Sequence, residues 1–170
     1  NRFENADIPP RIGLPVNKWR PEIKYAKKIL VCSEQGIGDE ILYLSCLPDL
    51  IKDQPELAVE CDFRWQKLFQ RSFPAVEFIP RQTSVGKAEE ILYDYREVVR
   101  RHNIEGYILN GDLPPFYRQD LNVKRKTDGY LRADPNQIKK YTDILKKITQ
   151  KTLIGICWRS AFTEPVPFVY

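Results

Sequence analysis

The sequence predicts an α/β domain with a mostly parallel sheet, on three observations. Short apolar runs alternate with segments of helical periodicity, as expected for strands joined by crossover helices. Two glycines, Gly36 and Gly38, separate the first of these runs from the first helical segment. The length of 170 residues, with 42% hydrophobic and 29% charged residues, fits one globular domain with a real core.

The chain begins with a lead-in segment and a buried strand. Residues 1–26 hold four of the chain's 13 prolines, which disfavours a long helix or a central strand there. We expect Ile12 and Trp19 to pack onto the domain. Residues 28–34 form a continuous apolar run, which is typical of a strand buried on both faces of a parallel sheet.

Helical periodicity starts at Asp39 and continues to Ile51, and Pro48 is expected to kink or shorten this helix. Asp134 and Pro135 predict a later helix start, with Asp as N-cap and Pro at the first position. That helix has an apolar stripe, expected to be buried, at Ile138, Tyr141, Leu145 and Ile148. Further strands are predicted at 57–63, 76–79, 104–109 and 153–158, and helices at 64–73, 87–101 and 135–148.

Several classes of protein are disfavoured by what the sequence lacks. His102 is the one histidine and no CxxC pair occurs, so a metal site is not expected. The cysteines at 32, 46, 61 and 157 are expected to be buried and free, which suggests a reducing cytoplasm. No apolar run approaches the ~20 residues of a membrane span, and no secretory leader opens the chain.

The net charge of +4 does not by itself indicate nucleic-acid binding. The basic residues at 124–126 and the lysines between 139 and 151 are most simply explained as solvated surface. We therefore predict no nucleic-acid partner. His102, at the end of a predicted helix, is expected to be structural.

The turn from Ser33 to Asp39 is the most informative segment. It fails the GxGxxG dinucleotide fingerprint because the third position is Ile41, and the carboxylates of Asp39 and Glu40 would repel a pyrophosphate. No GK[ST] sequence follows, so it is not a P-loop. Asp39 has two interpretations that the residues leave open: a partner of the helix dipole, or a base that accepts a proton from a substrate hydroxyl.

The same turn carries a resemblance to a known family. Ile29-Leu30-Val31, then Glu34-Gln35-Gly36-Ile37-Gly38-Asp39 and Leu47-Pro48, resemble the start of the heptosyltransferase-like glycosyltransferases of family 9. The most similar of these are the domains that follow tetratricopeptide repeats in bacterial proteins. Short motifs in the same order extend the resemblance: Pro15 with Trp19, Gly111-Asp112-Leu113-Pro114, Tyr130-Leu131-Arg132-Ala133-Asp134 and Ile154-Gly155-Ile156-Cys157-Trp158.

The resemblance implies a GT-B architecture, in which two Rossmann-like domains face each other and the first binds the acceptor. It implies Asp39 as the general base and a nucleotide-sugar as co-substrate, with no other cofactor and no metal. Arg159 would pair with a donor phosphate. The substrate-binding residues implied are Gln35, Gly36, Gly38, Gly111, Asp112, Trp158 and Arg159.

From this we expect the acceptor-binding half of a glycosyltransferase, cytoplasmic and inactive alone for want of a donor domain. The expected organisation is a lead-in at 1–26, a Rossmann-like domain at 27–152, and at 153–170 the first strand of a second domain or an extension. The expected partner is a sugar or protein acceptor, and a homodimer would cover the surface left by the absent domain. The alternative is a non-catalytic module with the same fold that binds a ligand or a protein.

Overall fold

A computed structural model describes residues 10–15, 17–22, 26–34, 36–85, 91–119, 129–149 and 151–156. The chain forms two compact units, Asn1–Arg132 and Ala133–Tyr170. Within the described residues the strands are β1 (Arg11–Ile12), β2 (Ile29–Cys32), β3 (Leu57–Cys61), β4 (Glu77–Pro80), β5 (Thr83–Val85), β6 (Ile91–Asp94) and β7 (Gly106–Leu109). The helices are α1 (Ile37–Leu44), α2 (Leu47–Asp53), α3 (Gln66–Ser72), α4 (Arg96–Arg101), α5 (Leu113–Tyr117) and α6 (Pro135–Ile148), with a 3-10 turn at Asn110–Asp112.

The centre of the first unit is a four-stranded parallel sheet in the order β4-β3-β2-β7. Every residue of β2 and of β3 is buried, which explains why β2 is a continuous apolar run and why β3 is apolar apart from Glu60. The predicted α/β class with a mostly parallel sheet is confirmed.

Helices cover both faces of this sheet, which gives a three-layer, Rossmann-like arrangement. One face packs against α1, α2, α3 and α5, through residues such as Leu44, Leu50 and Phe69. The other face packs against α4 and β6, through Val98 and Tyr93. The direction of winding reverses beside β2, because β3 and β4 lie on one side of it and β7 on the other.

The lead-in segment belongs to this packing. β1 pairs in parallel with β6, and β5 pairs antiparallel with β6, which forms a second, three-stranded sheet. Further on, the Trp19 amide donates to Tyr107 O (2.7 Å) and the Tyr107 amide donates to Asn17 O (3.1 Å), alongside β7. Trp19 is fully buried, so the expectation that it packs onto the domain is confirmed.

The helix predicted at 87–101 is wrong for its first part. Residues 91–94 form β6, and the helix is limited to Arg96–Arg101. The apolar spacing fits a helix, but the run Ile91-Leu92-Tyr93 is also rich in strand-forming side chains. Pairing with β1 and β5 satisfies its backbone, and that tertiary contact outweighs the local periodicity. β5 was not predicted at all.

The helix predicted from Asp39 to Ile51 is interrupted, as Pro48 suggested. α1 ends at Leu44, and α2 begins at Leu47 with Pro48 in its first turn. A proline in the first turn has no hydrogen bond to lose, so α2 starts where the proline can be accommodated.

In the second unit, α6 has the predicted N-cap, since Asp134 Oδ1 accepts from the amides of Asn136 (2.8 Å) and Gln137 (3.4 Å). The prediction that its apolar stripe is buried is wrong, because no residue of α6 is buried. The strand predicted at 153–158 is not formed by residues 153–156, and 157–158 lie outside the described residues. No helix among the described residues is both long and apolar enough to cross a membrane.

Candidate functional site

The reversal of winding places the ends of β2 and β7 side by side. Cys32, the last residue of β2, is in register with Leu109, the last residue of β7. In open α/β sheets, ligands bind at the carboxyl edge where the direction of winding reverses. The glycine turn follows β2 and the Asn110–Asp112 turn follows β7, so both flank this point.

The glycine turn leaves open space at the start of α1. Gly36 is the N-cap and has no side chain to bond the first amides of the helix. Among the described residues, and leaving aside chain neighbours and the backbone of α1 itself, a β-carbon at Gly38 would meet no atom within 4 Å and one at Gly36 would meet Asp39 Oδ2 at 4.0 Å. The unpaired N–H groups of a first helical turn carry partial positive charge, which favours an approaching oxygen or a developing negative charge.

Asp39 lies in this first turn and is half-buried. Its carboxylate has no hydrogen bond or ion pair with the described part of the chain. The neighbouring Glu40 differs, since its side chain is 1% exposed and fully engaged, as described below. Of the two adjacent carboxylates, Asp39 is therefore the one able to meet a ligand.

The turn after β7 forms the other side of the opening. Its Gly111 amide donates to Glu34 Oε2 (3.0 Å), which ties this turn to the end of β2. Asp112 pairs with Lys18 (2.8 Å between Oδ2 and Nζ). Asn110 is almost fully buried, and its Oδ1 has no hydrogen-bond partner among the described residues. The turn packs against α1.

The structure thus brings five of the eight predicted site residues to one edge of the sheet: Gly36, Gly38, Asp39, Gly111 and Asp112. Gln35, Trp158 and Arg159 lie outside the described residues. Their predicted roles stay predictions.

Ser33, at the start of the glycine turn, is held by contacts from four directions. Its amide donates to Glu60 Oε2 (2.8 Å), and its Oγ donates to Glu40 Oε1 (2.5 Å). Arg11 donates to its carbonyl oxygen and Arg81 to its Oγ. These four contacts hold Ser33 in place at the end of β2.

These partners of Ser33 form a charge-balanced group, here called the buried ion network: Arg11, Glu40, Glu60 and Arg81. Arg81 Nη2 lies 2.7 Å from Glu40 Oε1, and Arg11 Nη1 lies 3.7 Å from Glu60 Oε2. Tyr95 Oη donates to Glu60 Oε1 (3.0 Å). Burial is the largest influence on both acids and raises the pKa of Glu60 and of Glu40, although the arginines oppose it.

Sequence analysis did not find this network. Its members are far apart in the chain, and no local motif joins them. One signal was present, because Glu60 interrupts an otherwise apolar strand, and a carboxylate in such a position must be paired when it is buried.

Other candidates for chemistry are excluded by burial or by pairing. Cys32, Cys46 and Cys61 are buried and form no disulfide, as predicted, and burial raises the pKa of Cys61 to about 12. Cys157 lies outside the described residues. His102 Nδ1 lies 2.8 Å from Glu77 Oε1, in keeping with a structural role. No metal-binding group occurs among the described His, Cys, Asp and Glu residues.

An open cleft of about 880 Å³ lies between β4 and α4. It contains none of the predicted site residues. The carboxylates at its rim are paired locally, since Glu77 contacts Lys28, Asp94 contacts Arg96 and Glu97 contacts Arg101. Because the charges at the rim compensate each other, the cleft offers little net charge to a ligand, and we assign it no role.

The fold and this edge define an α/β domain of Rossmann-like layering with an opening at its switch point. Comparison with known proteins adds one relative: the chain is 27% identical over 160 residues to Protein FlbA of Caulobacter vibrioides. The match covers 89% of this chain and 26% of the relative, so the chain spans about a quarter of that protein's length. No family model matches the chain, and no solved structure matches it.

Proposed function

We propose that the first unit binds the acceptor of a glycosyl transfer at the carboxyl ends of β2 and β7. In this proposal Asp39 removes the proton from the acceptor hydroxyl as the hydroxyl attacks the sugar of a nucleotide-sugar donor. The single observation that carries the proposal is the open space above Gly36 and Gly38, beside an unengaged Asp39, at the switch point of the sheet.

The positions of Asp39 and Glu40 support a role for Asp39 as the base and a role for Glu40 in holding the turn. Asp39 sits in the first turn at the positive end of α1, and among the described residues it has no ion pair with a cation. A carboxylate is a weak base, but it suffices when the hydroxyl loses its proton only during attack. Glu40 holds the turn in place through Ser33 and through the Asp62 amide (3.1 Å).

The hydrogen bonds of Ser33 support the proposal as well. A general base must be held within hydrogen-bonding reach of its proton, and the contacts to Ser33 restrain the segment that leads to Asp39. The Glu34–Gly111 hydrogen bond restrains the opposite side of the opening in the same way.

Sugar binding by the chain tests the site directly. Saturation-transfer NMR with a panel of monosaccharides and their methyl glycosides gives the readout. Gly38→Val fills the open space, and we expect it to abolish the transfer signal without unfolding the domain. Gly129→Val is the matched control, because a β-carbon at Gly129 also meets no atom of the described residues within 4 Å. Equal sugar signals from the wild type and Gly38→Val, or no signal from any sugar, would contradict the proposal.

Asp39→Asn separates an enzyme from the alternative, a non-catalytic binding module. We expect this variant to bind the acceptor sugar within about threefold of the wild type, because the amide keeps the shape of the side chain. In a longer form of the protein that includes a donor site, the same variant should lower kcat by about 10²–10⁴-fold. Unchanged transfer would remove Asp39 from the mechanism, and intact binding with no transfer by the wild type would favour the module.

A further inference from the structure

One buried polar side chain at the proposed sugar site has no role in the arrangement described so far. Asn110 is the first residue after β7, at the switch point of the sheet. It is 1% exposed, and its side-chain oxygen Oδ1 accepts no hydrogen bond from the described residues. A buried carbonyl oxygen without a partner has lost its hydration and gained nothing in return, which costs free energy. Folded proteins contain few such groups, and each calls for an explanation.

The other buried polar residues show the contrast. Six more polar or charged residues are buried in the described part of the chain: Ser33, Glu34, Glu40, Gln54, Glu60 and Ser72. The side chain of each takes part in a hydrogen bond. Gln54, for example, donates to Lys27 O (2.8 Å) and to Glu56 O (2.9 Å). Asn110 is the exception, and it lies at the edge of the sheet where we propose that the acceptor binds.

The strand pattern places the Asn110 side chain on the same side of the sheet as α1. Ile108 packs in the core cluster that includes Leu44 of α1, whereas Leu109 packs in the cluster on the other face. Because Leu109 is extended, the alternation of the strand continues to Asn110, whose side chain falls on the face of Ile108. The turn that begins with Asn110 also packs against α1. The unpartnered oxygen therefore lies on the side of the helix whose first turn borders the open space at the glycine turn.

We propose that Asn110 Oδ1 accepts a hydrogen bond from a hydroxyl of the acceptor sugar, other than the hydroxyl whose proton Asp39 removes. This inference rests on the proposed function and extends it to the class of acceptor: a polyol that presents at least two hydroxyl groups to this edge of the sheet. A side-chain carbonyl oxygen only accepts, so it suits a hydroxyl donor. Because Oδ1 has no hydrogen bond with the described residues to break, the side chain can turn toward the sugar on binding.

This role gives Asn110 an effect on specificity. When a ligand lacks the one hydroxyl that a buried polar group needs, that group stays unpaired, and the site discriminates against the ligand. Asn110 therefore selects the acceptor by one hydroxyl position, while Asp39 acts on another. The free protein carries the cost of the unpaired oxygen, and the bound sugar removes it.

Thermal unfolding of the 170-residue chain tests the state of this side chain without a ligand. Asn110→Leu keeps a similar shape and removes the unpaired oxygen, so we expect a Tm equal to or above that of the wild type. Gln54→Met is the matched control, because it makes the same kind of change at a buried amide that has two hydrogen bonds. It should lower the Tm by about 2–8 °C. A loss of about 2 °C or more in Asn110→Leu would show that the oxygen already has a partner, and would overturn the inference.

Saturation-transfer NMR titrations test the contact with the sugar. The probes are the methyl α-D-glycopyranosides of glucose, mannose and galactose, with the monodeoxy analogues of each. We expect that removal of one particular hydroxyl weakens binding to the wild type by about fivefold or more, and that the same removal has no effect in Asn110→Leu. Asn110→Leu should bind the complete sugar about fivefold more weakly or worse, while Gln54→Met binds it as the wild type does.

The outcomes separate this inference from the proposed function. Wild-type binding that is lost in Gly38→Val but unchanged in Asn110→Leu would overturn the role of Asn110 and leave the proposed function intact. A deoxy-sugar effect that persists in Asn110→Leu would also overturn that role, because the hydroxyl would then have another partner. If the wild type binds none of these glycosides, the proposed function is contradicted and the inference fails with it.

Discussion

The carboxyl ends of β2 and β3 are neighbours in the sheet, yet one is open and the other is filled by paired side chains. At the end of β3, Glu60 is sealed from solvent by Arg11 and Tyr95. At the end of β2, Gly36 and Gly38 leave space above a helix start. The buried ion network holds the start of the glycine turn in place, and the glycine turn offers the open surface at which we propose that the acceptor binds. Ser33 takes part in both, because it begins the turn and bonds Glu60 and Glu40.

Removing one arginine of the network should produce the largest effect. Arg11→Met leaves the buried Glu60 without the guanidinium that lies 3.7 Å from its carboxylate, and we expect a loss of about 3–5 kcal/mol in the free energy of unfolding. Urea denaturation followed by circular dichroism measures it. Arg20→Met, at an exposed position of the same lead-in segment, is the control and should cost less than about 0.5 kcal/mol.

A double variant shows whether the loss comes from the unpaired charge. Arg11→Met combined with Glu60→Leu removes both charges, and should recover part of the stability lost in Arg11→Met. A loss below about 1 kcal/mol in Arg11→Met would mean that the network does not support the turn.

Alanine substitutions at Gly106 and Gly38 test whether the space at the glycine turn is open. Gly106 lies where a β-carbon would come within 3.0 Å of Ala26 Cβ and 3.2 Å of Asn17 O. Gly106→Ala should therefore cost about 1–3 kcal/mol. At Gly38, in the first turn of α1, the added β-carbon would have no described neighbour within 4 Å outside the helix backbone, so Gly38→Ala should stabilise the fold by about 0.5–1 kcal/mol. Thermal unfolding of both variants checks this, and equal losses would show that the space at Gly38 is not open.

Much of the sheet was predictable because continuous apolar runs reveal strands buried on both faces. The order of the strands then placed Asp39 and its glycines at the switch point. The predictions failed where long-range pairing decides the structure, as for β6, whose spacing also fits a helix. The apolar side of α6, which was expected to be buried, shows a second limit, because periodicity encodes an amphipathic helix but does not identify what covers it.

The candidate site was predictable to a similar extent. The glycine turn and Asp39 are contiguous in the sequence and could be found there, while Gly111 and Asp112 were implied by the family resemblance. The buried ion network was missed, because Arg11 and Glu60 meet only through tertiary structure.

The response to pH should separate Glu60 from ordinary surface acids. Burial raises its pKa, so the folded state binds its proton more readily than the unfolded state does. The resulting stability is present below the usual pKa of a glutamate and is lost as the pH rises through the raised value. Unfolding free energies measured from mildly acidic to neutral pH should fall in the wild type. Glu60→Gln should flatten this slope, and an identical slope in the variant would contradict the assignment.

Asp62, just after β3, should show the opposite and smaller response. Its pKa is lowered, chiefly by hydrogen bonding from Arg64, whose Nη2 lies 2.7 Å from Asp62 Oδ2. The stability from this pair is therefore present above the usual pKa of an aspartate and is lost as the pH falls through the lowered value. Because Arg64 is about half exposed, Arg64→Ala should cost less than about 1 kcal/mol by urea denaturation at neutral pH.

Arg81→Ala is the comparison for this variant. Its partner Glu40 is buried, so Arg81→Ala should cost clearly more free energy of unfolding than Arg64→Ala. Equal costs would mean that burial does not distinguish the Arg64–Asp62 pair from the Arg81–Glu40 pair, which would contradict a supporting role for the buried ion network at this edge.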